Sequence, residues 1–312
     1  VIEVRLDRAR TVLRVRVPDE LATAVAKLRH YRVLDATATD AGDAHEVTVA
    51  DSATPGFRYL PGATEFAGPV GALSRESLQV VVDQGFFRAM DAAGRVVMHA
   101  SAVSDGDRVW ALWGNSGAGK TTLALGLRQR LGWSLVSNGS LVVGLADGVP
   151  SAIGTVKRHV KVRNSSLRDQ PGAPGAGGSD SGGYEDKRDV DLGEFGADRI
   201  TLPLPIDRLI FVRLVAALPQ AVLTELDPRR IAVQLYEDMV RHLHGGEAVV
   251  FGTDGRVLCS VPSAATEAGH RARVRLLAAL TERTRALTGP LDACVAELTA
   301  ELIGAETAVP RV

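Results

Sequence analysis

The chain has 312 residues, room for two domains or for one domain with a sizeable appendage. With 46% hydrophobic and 23% charged residues it has enough apolar material for a true core, and a net charge of -1 removes the electrostatic footprint of a general nucleic-acid binder. Aromatic residues, at 4%, leave little surface on which single-stranded bases would stack.

The N-terminal run VIEVRLDRARTVLRVRV carries charges throughout and has the apolar core of neither a signal peptide nor a membrane anchor. It alternates instead: Ile2, Val4 and Leu6, then Leu13, Val15 and Val17, at strand spacing. Pro18-Asp19-Glu20 opens a helix-like run, LATAVAKLRHY, with acidic residues in its first turn. A loose segment from Asp35 to Gly68 holds one strand candidate, His45 to Ala50, and the spacing after Ser74 predicts a helix from Arg75. Residues 1–88 therefore read as a small α+β domain, and residues 89–312 as a second domain.

In the second domain VVMHASAVS and RVWALWG flank Asp105-Gly106-Asp107, a hairpin by its turn chemistry. The second run leads through a glycine-rich loop into KTTLALGLRQRL, a helix pattern. SLVSNGSLVVGL and the run Ile210 to Leu214 are β-rich, so the class is α/β, a sheet layered with helices. Residues 171–183 are glycine-rich and read as a flexible insertion, either a lid or a tolerated loop. From Asp227 the pattern is mainly helical: PRRIAVQLYEDMVRHLHGG with a Gly245-Gly246 C-cap, then ARVRLLAALTERTRALT and LDACVAELTAELIG. Cys259 and Cys294 stand in no metal-ligand spacing and read as small buried hydrophobes.

The loop Gly114-Asn115-Ser116-Gly117-Ala118-Gly119-Lys120-Thr121 satisfies G-x-x-x-x-G-K-[ST] in full, between a β-rich run and a helix. Its glycines let the backbone approach phosphates closely, and its amides point at them from a helix N-terminus. Lys120 adds a full positive charge, and the Thr121 hydroxyl is placed for Mg²⁺. Gly114 to Thr122 is thus the expected site of a nucleoside triphosphate, ATP with Mg²⁺.

The stretch from Val97 to Val143 resembles the HPr kinase-like family: a His before a short hairpin, Gly-x-Ser-Gly-x-Gly-Lys, then a leucine-valine strand. The resemblance implies a phosphate-loop domain in which a β-rich strand pair feeds the loop. It also implies phosphate transfer to a Ser or Thr hydroxyl of a peptide or small metabolite, and possible homo-oligomerisation. Where the family usually shows two adjacent carboxylates, this chain has Asn138-Gly139. In the family those carboxylates help hold Mg²⁺ and accept the proton of the attacking hydroxyl; losing such a base costs about 10²–10⁴-fold in rate.

Asn-Gly is also the favoured type I′ hairpin turn, here between SLVS and SLVV. His99 aligns with the family's histidine and is either a catalytic group or a packed one. Glu185, Asp186, Asp189 and Asp191 form a charged run that supplies a substitute base or only a solvated face. His159, Lys161 and Arg163 would share one side of a strand and suit an anionic ligand, or keep an edge soluble.

The expected catalytic set is His99, Lys120 and Asn138, with Thr121 for the metal. The expected function is a cytoplasmic Mg²⁺-dependent kinase with neither a nucleic-acid nor a membrane partner. The alternative is a degenerate nucleotide-binding sensor or partner-binding module. A switch GTPase is disfavoured, because no Asn-Lys-x-Asp sequence is present.

Overall fold

The computed structural model describes residues 1–34, 44–157, 159–163, 187–244 and 248–308. It is a mixed α/β protein in two compact units, Val1–Val96 with Tyr236–Arg275, and Val97–Leu235 with Leu276–Val312. The sequence division after residue 88 therefore differs from the compact units in two respects: the first unit runs on to Val96, and the segment Tyr236–Arg275 packs with it. No shift in composition marks that return, which rests on contacts such as Asp91 with Thr266.

In the first unit, β1 (Ile2–Arg8) and β2 (Thr11–Val17) form an antiparallel hairpin, as the alternation predicts. The chain passes through α1 (Asp19–Val25) and the short β3 (Arg32–Val33) to β4 (His45–Asp51), which lies parallel to β2. β5 (Gly56–Leu60) and β6 (Ala63–Gly68) complete a six-stranded sheet in the order β3-β1-β2-β4-β6-β5. These last two strands lie in the segment that reads as loose in sequence. Gly and Ala dilute their apolar pattern, and pairing across the sheet supplies what local propensity lacks.

Helix α2 (Arg75–Ala92) begins where Ser74 Oγ accepts from the Ser77 amide at 3.1 Å, an N-cap bond. Leu78, Val82 and Phe86 are buried with Leu13, Val15 and Val47, so the helix closes one face of the sheet.

The second unit is organised by β9 (Val109–Trp113), which is buried along its whole length. β7 (Val96–Met98) and β8 (Ser101–Ser104) precede it, and β8–β9 is the expected hairpin. The glycine loop follows β9 and leads into α3 (Lys120–Leu131), which ends at Gly132 in a left-handed cap with Arg128 and Arg130 in its last turn.

The chain continues through β10 (Ser134–Asn138), β11 (Leu141–Ala146) and β12 (Val149–Thr155). Next come the paired β13 (His159–Arg163) and β14 (Lys187–Asp191), then the long β15 (Leu204–Leu214) and β16 (Val222–Glu225). Helix α4 spans Pro228–Val240. β17 (Val249–Phe251) pairs with β18 (Val257–Ser260) in the first unit, and α5 runs from Glu267 to Thr281. β19 (Thr284–Gly289) and α6 (Leu291–Ala308) are the last elements among the described residues.

Two sequence expectations are corrected. The run after Asp227 is not simply helical: β19 lies parallel to β15, which lies parallel to β9, so a core strand sits where a helix is expected. Only six residues long, it is masked in sequence by the preceding amphipathic helix, whose apolar pattern continues into it. Asn138-Gly139 is not a two-residue hairpin turn either. β10 pairs with β8 and β11 with β12, so the strands on either side of it are not partners.

The core of this unit gathers Trp110, Leu112, Leu123, Leu127, Ile210, Val212, Leu287 and Leu298. Cys294 lies in that core, where burial pushes its thiol up to about 11, and Cys259 is half-buried; both are free thiols. Among the described residues, no helix is long and apolar enough to cross a membrane.

Candidate functional site

The loop between β9 and α3 owes its shape to three glycines of positive φ, Gly114, Gly117 and Gly119, the first and last of them also closely packed. Gly114 has φ 143° and Gly119 has φ 92°, both in the region that L side chains avoid. A Cβ on Gly114 would lie 2.8 Å from the Val212 carbonyl oxygen, and one on Gly119 would lie 2.5 Å from the Leu214 side chain. The loop is thereby pressed against the end of β15, and the Leu214 amide donates to the Ala118 carbonyl at 2.9 Å. Asn115, Ser116 and Gly117 remain exposed. The amides of Ser116, Gly117 and Gly119 have no acceptor among the described residues. They lie before the first turn of α3, whose own leading amides add the positive end of its dipole.

Lys120 is buried, and its Nζ donates to the Gly114 carbonyl at 2.8 Å and to the Asn115 carbonyl at 2.9 Å. The ammonium is therefore held on the inside of the loop by the loop's own oxygens. Beside it, the Thr121 hydroxyl donates to Asn138 Oδ1 at 2.6 Å. Asn138 ends β10 directly opposite Ser101 on β8, and the Ser101 hydroxyl donates to the same Oδ1 at 2.8 Å. One neutral amide oxygen thus collects two hydroxyls from two further elements, and none of the three residues has a carboxylate partner among the described residues.

His99 lies at the bend between β7 and β8. Its Nδ1 stands 3.1 Å from the Gly139 carbonyl oxygen; a carbonyl only accepts, so Nδ1 carries the proton. The Gly139 amide in turn donates to the Ala100 carbonyl at 2.9 Å.

Four residues separated in sequence, His99, Lys120, Thr121 and Asn138, are thus brought to one end of the sheet. Thr122 follows on the first turn of α3, half-buried. The remaining candidates fare differently. Glu185, Asp186 and the 171–183 insertion lie outside the described residues, as does the Gly245-Gly246 cap. Asp191 accepts from the Gly193 amide at 2.7 Å and caps a short 3-10 helix, which commits it structurally. The basic run forms β13 as expected, and its register sets His159 opposite Asp191 and Lys161 opposite Asp189.

Sequence reading missed Ser101. It stands two residues after His99, but the bend at His99 separates β7 from β8, so strand alternation does not carry from one to the other and no local signal marks it. A second omission is a cavity of about 780 Å³ beside the loop, walled by Asn115–Ala118, the ends of β15 and β19, β16 and the start of α4. Its walls do not include Lys120, Thr121, Asn138 or His99. Arg213 and Arg230 line it, and neither has a carboxylate partner among the described residues.

A scan against protein-family models and a search of curated proteins both return no match for this chain.

Proposed function

We propose that the Gly114–Thr121 loop binds a nucleoside triphosphate, ATP with Mg²⁺, and that the protein transfers phosphate to a Ser or Thr hydroxyl of a peptide or small metabolite. The observation that carries this reading is the set of unpaired loop amides at the start of α3, with the Lys120 ammonium drawn onto the same loop. The residues suit the ligand: two glycines stand where a side chain would jam the loop, and hard neutral oxygens stand beside it.

The chain's own groups divide the work. The loop amides take phosphate oxygens with no reorganisation. Lys120 exchanges two carbonyl dipoles for phosphate charge, a stronger partner for an ammonium. Thr121 and Asn138 are the residues that would hold Mg²⁺, whose role is to neutralise phosphate charge. His99, with Nδ1 donating to the Gly139 carbonyl, would in its neutral form present Nε2 as the atom of a general base. The resemblance to the HPr kinase-like family proposes self-association, while the composition, with its net charge of -1 and two isolated cysteines, proposes a cytoplasmic protein acting on neither nucleic acid nor membrane.

One observation favours a second reading, a sensor that binds nucleotide with little turnover. The oxygen that ends β10 belongs to an amide already shared by two hydroxyls, where the resembled family carries charge. Labelled ATP with Mg²⁺ and hydroxyl-bearing peptides or metabolites, run beside a Lys120→Ala control, separates the two. Label transfer above the control supports the kinase. Calorimetric binding without transfer or hydrolysis supports the sensor, and no binding to the natural sequence rejects both.

A further inference from the structure

The cavity on the Asn115–Ala118 side of the loop is not walled by Lys120, Thr121 or Asn138. We infer that it seats the nucleoside of the bound triphosphate and accepts adenine and guanine alike; this rests on the triphosphate reading above. Its position suits the role. It opens at the carboxyl ends of the parallel strands β15 and β19, where open α/β sheets bind ligands, and it shares a wall with the loop. At about 780 Å³ it falls within the range of small-molecule sites.

The lining chemistry matches a nucleoside with its phosphates attached in three ways. Phe211, Leu214, Ile231 and Ala286 offer apolar surface to the faces of a flat base. Arg213 and Arg230, both exposed and without carboxylate partners among the described residues, suit a ligand that carries negative charge. Thr224, Gln234 and Thr288 supply the polar atoms that meet ribose hydroxyls and base edges.

The tolerance for both purines follows from those same three residues. Adenine presents an acceptor at N1 and a donor at N6, and guanine presents the opposite pair at N1 and O6. A carboxylate, which only accepts, would select guanine, but none of the described residues that wall the cavity carries one. Hydroxyls and a carboxamide each donate and accept, so they reorient to meet either edge. Neither purine then leaves a buried group unpaired, which is what strong discrimination requires.

Calorimetry with Mg²⁺ and three probes, ATP, GTP and inorganic tripolyphosphate, tests the inference. The natural sequence binds ATP and GTP within about tenfold of each other. Ala286→Trp on β19 and Thr224→Trp on the exposed β16 fill the cavity from two sides. Each variant weakens both nucleotides by about tenfold or more and leaves tripolyphosphate unchanged. Gln234→Glu tilts the ratio toward GTP. The inference is overturned if both tryptophan variants bind nucleotides as before, or lose tripolyphosphate in parallel. A preference of about a hundredfold for one purine in the natural sequence overturns the tolerance. If none of the three probes binds the natural sequence, the loop reading itself fails and this one falls with it.

Discussion

Thr121 Oγ1 donates to Asn138 Oδ1 at 2.6 Å, tying the first turn of α3 to the last residue of β10. Ser101 joins them on the same oxygen, so helix, strand and neighbouring strand meet at one acceptor. Asn138→Asp keeps that acceptor and adds a negative charge. If the kinase reading holds, Mg²⁺-dependent transfer or hydrolysis rises by about tenfold or more, read as kcat at saturating ATP. Asn138→Leu removes the acceptor, strands the buried Ser101 hydroxyl and costs about 1–3 kcal/mol in urea unfolding.

The loop glycines differ in what surrounds them. Gly119 has φ 92°, and a methyl group placed on it would meet Leu214 at 2.5 Å, whereas Gly117 has φ 80° and open space. Gly117→Ala incurs only left-handed strain, about 1–2 kcal/mol, while Gly119→Ala incurs that and must also displace Leu214. The urea midpoint of Gly119→Ala is expected below that of Gly117→Ala; equal midpoints would refute the packing argument.

His45 sits buried on β4, with Nε2 3.0 Å from Thr64 Oγ1. Burial, with a smaller contribution from Arg88, pulls its pKa from 6.5 down to about 4. The folded state therefore resists a proton that the unfolded chain accepts. Stability from this residue is complete above pH 6.5 and declines as the pH falls toward 4, by up to about 3 kcal/mol in all. His45→Gln retains a polar partner for Thr64 and cannot titrate. Its unfolding free energy should vary less between pH 6.5 and 5 than that of the natural sequence.

Asp91 and Arg273 form an ion pair in the first unit, with side chains only 1% and 3% exposed. Asp91 also accepts from the Thr266 amide at 2.6 Å and from its hydroxyl at 2.8 Å. Asp91→Ala leaves a buried guanidinium without its carboxylate and is expected to cost about 3–5 kcal/mol. Thermal and urea melts would show it; a loss below about 1 kcal/mol would mean that water reaches Arg273 in the variant.

Much of the site was legible in the sequence because the glycine loop is local chemistry: residue types at fixed spacing, between a strand pattern and a helix pattern. The strand alternation of Ile2–Val17 and the cap at Ser74 were legible for the same reason, since neighbours along the chain produce them. β5, β6 and β19 were not, because their stability comes from partners far away in sequence. The meaning of Asn138-Gly139 was equally hidden. The dipeptide suits a hairpin turn, but β10 has β8 as its partner, so tertiary pairing overrides the turn preference.

Residue order alone therefore determined the loop, its lysine and its hydroxyl, since these follow one another along a few turns of backbone. Only the folded chain decided that Asn138, Ser101 and His99 gather beside them, and that a cavity walled by distant strands and a helix opens next to the loop. Spacing controls what adjacent amides and side chains can do together. Convergence of groups from separate strands depends on sheet order, which the whole core selects.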